Sequence, residues 1–247
     1  MQGSPTTAIN YFFAGARLII KPGYRRFILI PLLINLVIFA VVTVALFSMF
    51  KDFFALALEW SPSWLDWFTW LLWPLVAFIF LVVYGYSFNI ITNFLAAPFF
   101  GLLAEKIETE LTGIVPPDEP WGQLIPRTLQ REAIKLWYFI SRGALVLLVF
   151  VLLFFIPGAN LLGVVIGALW SCWCMAVQYA DYPADNHQLS FRTLRRRLNK
   201  QQLTSYSYGG IILLGSMVPV LNIFVTPIAV AGATLYWIKE VKHLPPQ

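Results

Sequence analysis

The residues best suited to chemistry are Lys21-Pro22-Gly23-Tyr24-Arg25-Arg26, directly ahead of an uncharged apolar run that opens at Phe27. Pro-Gly marks a turn, and glycine lets a backbone come close to a ligand. The amides that follow open a helix and carry the positive end of its dipole. The paired guanidinium forks of Arg25 and Arg26 suit the oxygens of a tetrahedral oxyanion. Gly23, Tyr24, Arg25 and Arg26 are thus the candidate anion site. The same residues also fit a plain basic flank beside a membrane helix.

Other polar groups stand out against an apolar background. Glu105 closes a long uncharged stretch after Pro98 and Gly101. A carboxylate there fits a gate or proton acceptor at a membrane boundary, or the favoured acid in the first turn of an interfacial helix. Asn35, Asn89 and Asn93 sit inside apolar runs, and Asn160 and Asn222 each follow a proline by three residues. Glu105 and these five asparagines are the candidate pore or gate groups. The first three asparagines also fit hydrogen-bonded glue between helices, and the last two fit helix N-caps. Asp181, Asp185 and His187 have poor spacing for a metal, so a turn capping the next helix is expected. Cys172 and Cys174 read as small core residues. No metal or cofactor site is expected.

The elements that must position these groups are apolar and helical. Hydrophobic residues make up 59% of the chain and charged residues only 12%, too much apolar surface for a soluble domain of this size to hide. The expected fold is an all-α integral membrane protein forming a single membrane domain. Its parts are an interfacial N-terminal helix and loop (1–26), a spanning helix (27–50) and a long spanning helix (67–104). Cytoplasmic or interfacial helices (105–142), a hairpin (143–180), a basic cytoplasmic segment (181–207) and a second hairpin (208–238) follow. Trp60, Trp64, Trp67, Trp70 and Trp73 read as an interfacial aromatic belt.

Both hairpins are split by proline, the first at Pro157-Gly158 and the second at Pro219 and Pro227. The first half of each is about 20 Å of helix, short of a hydrocarbon core about 30 Å thick, so they are expected to enter the bilayer and turn back. The shared Pro-x-x-Asn pattern suggests a weak internal repeat or a coincidence of common membrane residues. Three segments look amphipathic: 8–20; 124–140, with Ile125, Leu129, Leu136 and Ile140 on one face and Arg127, Arg131 and Lys135 off it; and 192–200.

Net charge is +5, and basic residues cluster before the first run and around Arg195-Arg196-Arg197. The excess suits anionic lipid or an anionic substrate rather than nucleic acid, since no soluble basic domain exists. The positive-inside rule places both termini in the cytoplasm. No catalytic or nucleotide-binding motif is present, so neither enzymatic turnover nor ATP hydrolysis is expected. A membrane-embedded enzyme and an accessory or scaffold subunit remain the alternative classes.

Four stretches together resemble the CysZ family of bacterial sulfate permeases. They are Pro22-Gly23-Tyr24-Arg25-Arg26-Phe27 with Pro31-Leu32-Leu33 and Asn35; Ala96-Ala97-Pro98-Phe99 with Gly101-Leu102-Leu103-Ala104-Glu105; Asp181-Tyr182-Pro183 with Asp185-Asn186-His187; and Pro219 to Asn222 with Pro227 and Gly232-Ala233-Thr234. The resemblance implies sulfate uptake across the inner membrane for cysteine biosynthesis. It also implies two long spanning helices, two hemi-penetrating hairpins and a homo-oligomer. The family's Gly-x-Arg-Arg sulfate loop falls on Gly23, Arg25 and Arg26.

Overall fold

A computed structural model describes residues 3–59, 69–115 and 119–245. Every regular element among them is helical: α1 (Pro5–Ile20), α2 (Arg26–Glu59), α3 (Thr69–Thr112), α4 (Trp121–Phe154), α5 (Asn160–Asn186), α6 (Phe191–Lys200), α7 (Gln202–Ser216), α8 (Pro219–Lys239) and a closing 3-10 turn, Val241–His243. Two compact units divide the chain, one of residues 1–29 and 97–247 and one of residues 30–96.

Among the described residues the smaller unit is α2 from Ile30 onward and α3 as far as Ala96. Neither helix has an amphipathic stripe, and Val37, Val41, Val44 and Phe47 on α2 and Phe78 and Leu81 on α3 are exposed. Helices apolar all round, with their large side chains outward, are stable only where lipid or another protein replaces water. A hydroxyl pair, Thr43 with Tyr84 at 2.7 Å, and the Phe39–Tyr84 ring contact join the two helices. Asn35, Asn89 and Asn93 lie on α2 and α3, but their side chains fall outside the described residues, as do Trp60, Trp64 and Trp67 and the side chains of Trp70 and Trp73.

The larger unit is a bundle in which α5 packs on α4, α7 and α8, while α1 packs on α7 and α8. Pro5 starts α1, where its missing N–H costs nothing. The helix then buries Ala8, Tyr11, Gly15 and Ile19, one stripe at helical spacing. The α5–α7 crossing depends on Gly209, where a Cβ would stand 1.7 Å from the Cys172 carbonyl oxygen. The backbones therefore touch, as small residues permit in membrane helices. Cys172 and Cys174 are free thiols, only partly buried. On α6, Phe191, Leu194 and Leu198 are buried in the bundle, and the Ser190 hydroxyl caps the helix by accepting from the Thr193 N–H at 3.2 Å.

α4 departs from the sequence expectation. The amphipathic stretch 124–140 and the apolar run after Gly143 are one uninterrupted helix of 34 residues. Its polar residues Thr128, Glu132 and Lys135 are buried, while Ile125, Ile134, Trp137 and Ile140 are exposed. Arg127, Arg131 and Lys135 thus face the protein while these apolar residues face out, the reverse of a soluble helix; Gln130 and Arg142 are exposed. Lipid as the surrounding solvent explains the inversion. α4 and α5 are each long and apolar enough to cross a membrane, and none of the most apolar window of α4 is buried. A soluble core helix would be buried there, so the chain is a membrane protein.

The capping roles expected for Asn160 and Asn222 are not found. Asn160 is already the first residue of α5, and its side-chain oxygen accepts from the Leu161 N–H at 2.9 Å. Asn222 is inside the first turn of α8, its own N–H bonded to the Val218 carbonyl. Pro157 stands in the turn between α4 and α5, whereas Pro219 is the first residue of α8. The two matching Pro-x-x-Asn stretches therefore sit in different local geometries.

Candidate functional site

The loop between α1 and α2 is a tight turn held by its own backbone. The Lys21 N–H bonds the Leu18 carbonyl and ends α1, the Tyr24 N–H bonds Lys21, and the Phe27 N–H bonds Tyr24 at 3.0 Å. Gly23 makes the turn possible, with φ at +96°, a conformation costly for any residue with a Cβ. Tyr24 and Phe27 are buried and anchor the loop, and Arg25 and Arg26 are exposed beside them at the start of α2. The Arg26 guanidinium lies 4.9 Å from the Phe27 ring centre. Glycine turn, helix start and two solvent-facing guanidinium groups thus coincide, the arrangement an oxyanion needs.

The end of α3 supports this loop through residues the sequence reading did not single out. Lys106 donates to the Gly23 carbonyl at 3.2 Å and lies over the Tyr24 ring at 5.1 Å. The Tyr24 hydroxyl donates to Glu110. Burial, reinforced by that carboxylate, raises the Tyr24 pKa and keeps the hydroxyl protonated and donating. The only signal in the sequence is the four-residue spacing of Lys106 and Glu110, a common helix-surface pair. Glu105, on the same helical end, is half-buried.

Asp181, Asp185 and His187 do not cap α6, which Ser190 caps; they are ion-paired instead. Asp181 accepts from Arg131 Nη2 at 2.7 Å and Nε at 3.0 Å, and lies 3.3 Å from Lys135 Nζ. Lys135 also pairs with Glu132 at 2.5 Å. Asp185 lies 2.6 Å from Arg127 Nη1, and Glu119 pairs with Arg127 Nε at 2.8 Å. The spacing that misled is explained by this partner face: Arg127, Arg131 and Lys135 recur every four residues on α4, and Asp181 and Asp185 every four on α5. Asp181 and Lys135 are almost fully removed from water, so their charges must be met by partners within the protein.

His187 bonds Glu108 at 2.8 Å, and Lys242 bonds the other oxygen of Glu108 at 2.8 Å. Glu108 lies beyond the apolar stretch of α3. Burial alone would raise its pKa, but the His187 and Lys242 partners outweigh it and hold the carboxyl below its ordinary value. Asn186 donates to the Gly101 carbonyl at 2.8 Å, tying the end of α5 to the same stretch of α3.

A cleft of about 290 Å³ opens beside Arg127, Gln130, Arg131 and Asp185. Its two arginines already face Asp181, Asp185 and Glu119, which neutralise them. Arg25 and Arg26 of the α1–α2 loop are instead exposed. Asn160 and Asn222 are exposed in the first turns of α5 and α8, outside the loop and its α3 support.

A family profile described as "Sulfate transporter CysZ/Etoposide-induced protein 2.4" matches residues 11–227. The chain is 42% identical over 242 residues to "Sulfate transporter CysZ" of Pectobacterium atrosepticum, covering 96% of this chain and 86% of that protein. It is 41% identical over 247 residues to the protein of the same name from Salmonella typhimurium, covering 97% of this chain and 95% of the relative. All the residues of the loop and of its α3 support lie within the matched span. The chain belongs to the sulfate transporter CysZ/etoposide-induced protein 2.4 family.

Proposed function

We propose that this protein is a sulfate permease of the bacterial inner membrane, supplying sulfate for cysteine biosynthesis. One observation carries the reading: the positive-φ turn at Gly23 presents Arg25 and Arg26 at a helix start, in a chain closely similar to named sulfate transporters. The loop captures the dianion with backbone amides and two guanidinium forks. The chain has no nucleotide-binding motif, so flux is downhill along a channel-like path or coupled to an ion gradient. Replacing Arg25 and Arg26 with Ala in proteoliposomes should abolish saturable radiolabelled sulfate uptake. Each charged hydrogen bond lost costs about 1.5–3 kcal/mol of binding. Unchanged affinity in the folded double variant would exclude the loop, and no flux from pure wild-type protein would favour an accessory-subunit role.

The α4–α5 and α7–α8 pairs are read as hairpins with their tips inside the bilayer and both chain termini in the cytoplasm. Exposed Leu161, Leu162, Leu214 and Met217 near the turns support tips that meet lipid or a second copy of the chain. Ala159→Cys and Leu221→Cys, in a background without Cys172 and Cys174, should resist bulky periplasmic thiol reagents. Ready labelling would mean full spans. Unpaired backbone at such tips costs several kcal/mol in hydrocarbon, so a homo-oligomer sharing the path is expected. A monomer in nanodiscs with full flux would rule that out.

A further inference from the structure

The loop has a carboxylate of its own at its edge. Lys106 and Glu110 are one helical turn apart on α3, with Lys106 Nζ 3.6 Å from a Glu110 oxygen. The same ammonium donates to the Gly23 carbonyl and lies 5.9 Å from the Phe27 ring, the ring that the Arg26 guanidinium also faces. Lys106 is therefore a third cation on the anion loop, and Glu110 is the anion it now holds. Both side chains are partly exposed, 26% and 50%. An ion pair so open to water is weak and readily exchanged. Lysine is a point charge on a flexible four-carbon stem, able to turn from one oxygen ligand to another.

We propose that Glu110 is a built-in competitor for the transported oxyanion. In the empty loop it holds Lys106. A bound dianion, carrying more charge than a carboxylate, draws Lys106 away to join Arg25 and Arg26. Glu110 then keeps only the Tyr24 hydroxyl, which still anchors the loop. The competition sets the affinity of the site and favours doubly over singly charged oxyanions. It rests on the loop being the anion site.

Sulfate binding to the full-length protein in nanodiscs at low ionic strength tests the competition. Glu110→Gln removes the charge but keeps an acceptor for Tyr24, and sulfate should bind several-fold tighter. Lys106→Met should weaken binding about tenfold, the loss of one charge-assisted contact. Lys106→Gln, which retains a donor for the Gly23 carbonyl, should weaken it too. The double variant Glu110→Gln/Lys106→Met should bind like Lys106→Met alone, since nothing is left to compete for. Glu110→Gln binding no tighter than wild type overturns the proposal. Tightening that persists without Lys106 also overturns it, because Glu110 would then act only through its general field. Arg25→Ala/Arg26→Ala is measured alongside. If that variant keeps full affinity, the loop itself is not the site. If it loses affinity while the Lys106 and Glu110 variants match wild type, only the competition fails.

Discussion

Asp181 is the residue whose loss should be felt most. It is 1% exposed and faces two cations, Arg131 and Lys135, of which Lys135 is itself 1% exposed. With Glu132 the inner group balances two positive charges against two negative ones. Asp181→Asn removes one negative charge at nearly constant volume and leaves the buried Lys135 with Glu132 alone and Arg131 with the more distant Asp185, 3.9 Å away. Breaking a buried pair from one side costs about 3–5 kcal/mol, because the surviving charge stays desolvated. Lys135→Met should cost a similar amount, now with excess negative charge. The double variant restores neutrality and fills the lysine volume with an apolar chain. It should therefore recover a large part of the loss, as neighbours in one network are not additive. Unfolding in mixed micelles with rising SDS, read by tryptophan fluorescence, measures all four forms. A cost below about 1 kcal/mol for Asp181→Asn, or a double variant equal to the sum of the single ones, would show that the four groups do not act as a unit.

Gly209→Ala must push α7 off α5, since the new Cβ meets the Cys172 carbonyl backbone; the expected loss is about 1–3 kcal/mol or more, measured in the same micelle titration. Glu108 gives an acid signature. Its folded pKa lies below its ordinary value of 4.5, so its contribution is complete above that value and is lost as pH falls through the lower folded one. Melting temperature should drop in that window, and Glu108→Gln should lower it at neutral pH and flatten the acid dependence. Ser190→Ala removes the α6 cap and should cost about 1 kcal/mol by thermal melting. Gly23→Ala forces a Cβ into a turn at φ +96° and towards Lys106; sulfate binding should weaken, while the melting temperature of the bundle changes little.

The helices were legible because lipid demands long apolar runs, and Phe27–Phe50 and both sides of Pro157-Gly158 in 143–180 carry that signal. The loop was legible because Pro22-Gly23 and the two arginines are contiguous. The α4–α5 network was not, since Arg131 and Asp181 are 50 residues apart and become neighbours only when the chain turns at Pro157. Reading 124–140 as an interfacial amphipathic helix left its basic face without a partner, whereas Arg127 and Arg131 pair with Asp185 and Asp181 on α5. With lipid outside, the same pattern turns inward. Lys106 was missed for a related reason: its partner is a backbone carbonyl, which leaves no mark in the sequence. The Asn160 and Asn222 caps failed because a side chain competent to cap is not enough. The backbone of each is already helical at that residue.

The continuity of α4 makes it a lever. From Lys135 to Phe154 the helix spans about 29 Å with no break in its hydrogen bonding. A tilt of about 5° pivoting at the ion network would carry the tip through about 2.5 Å. The force to drive such a swing would have to act where the charges are, since beyond Arg142 the arm carries only apolar side chains, which meet lipid or the facing side of α5. Stiffness and fulcrum thus come from the same 34-residue helix.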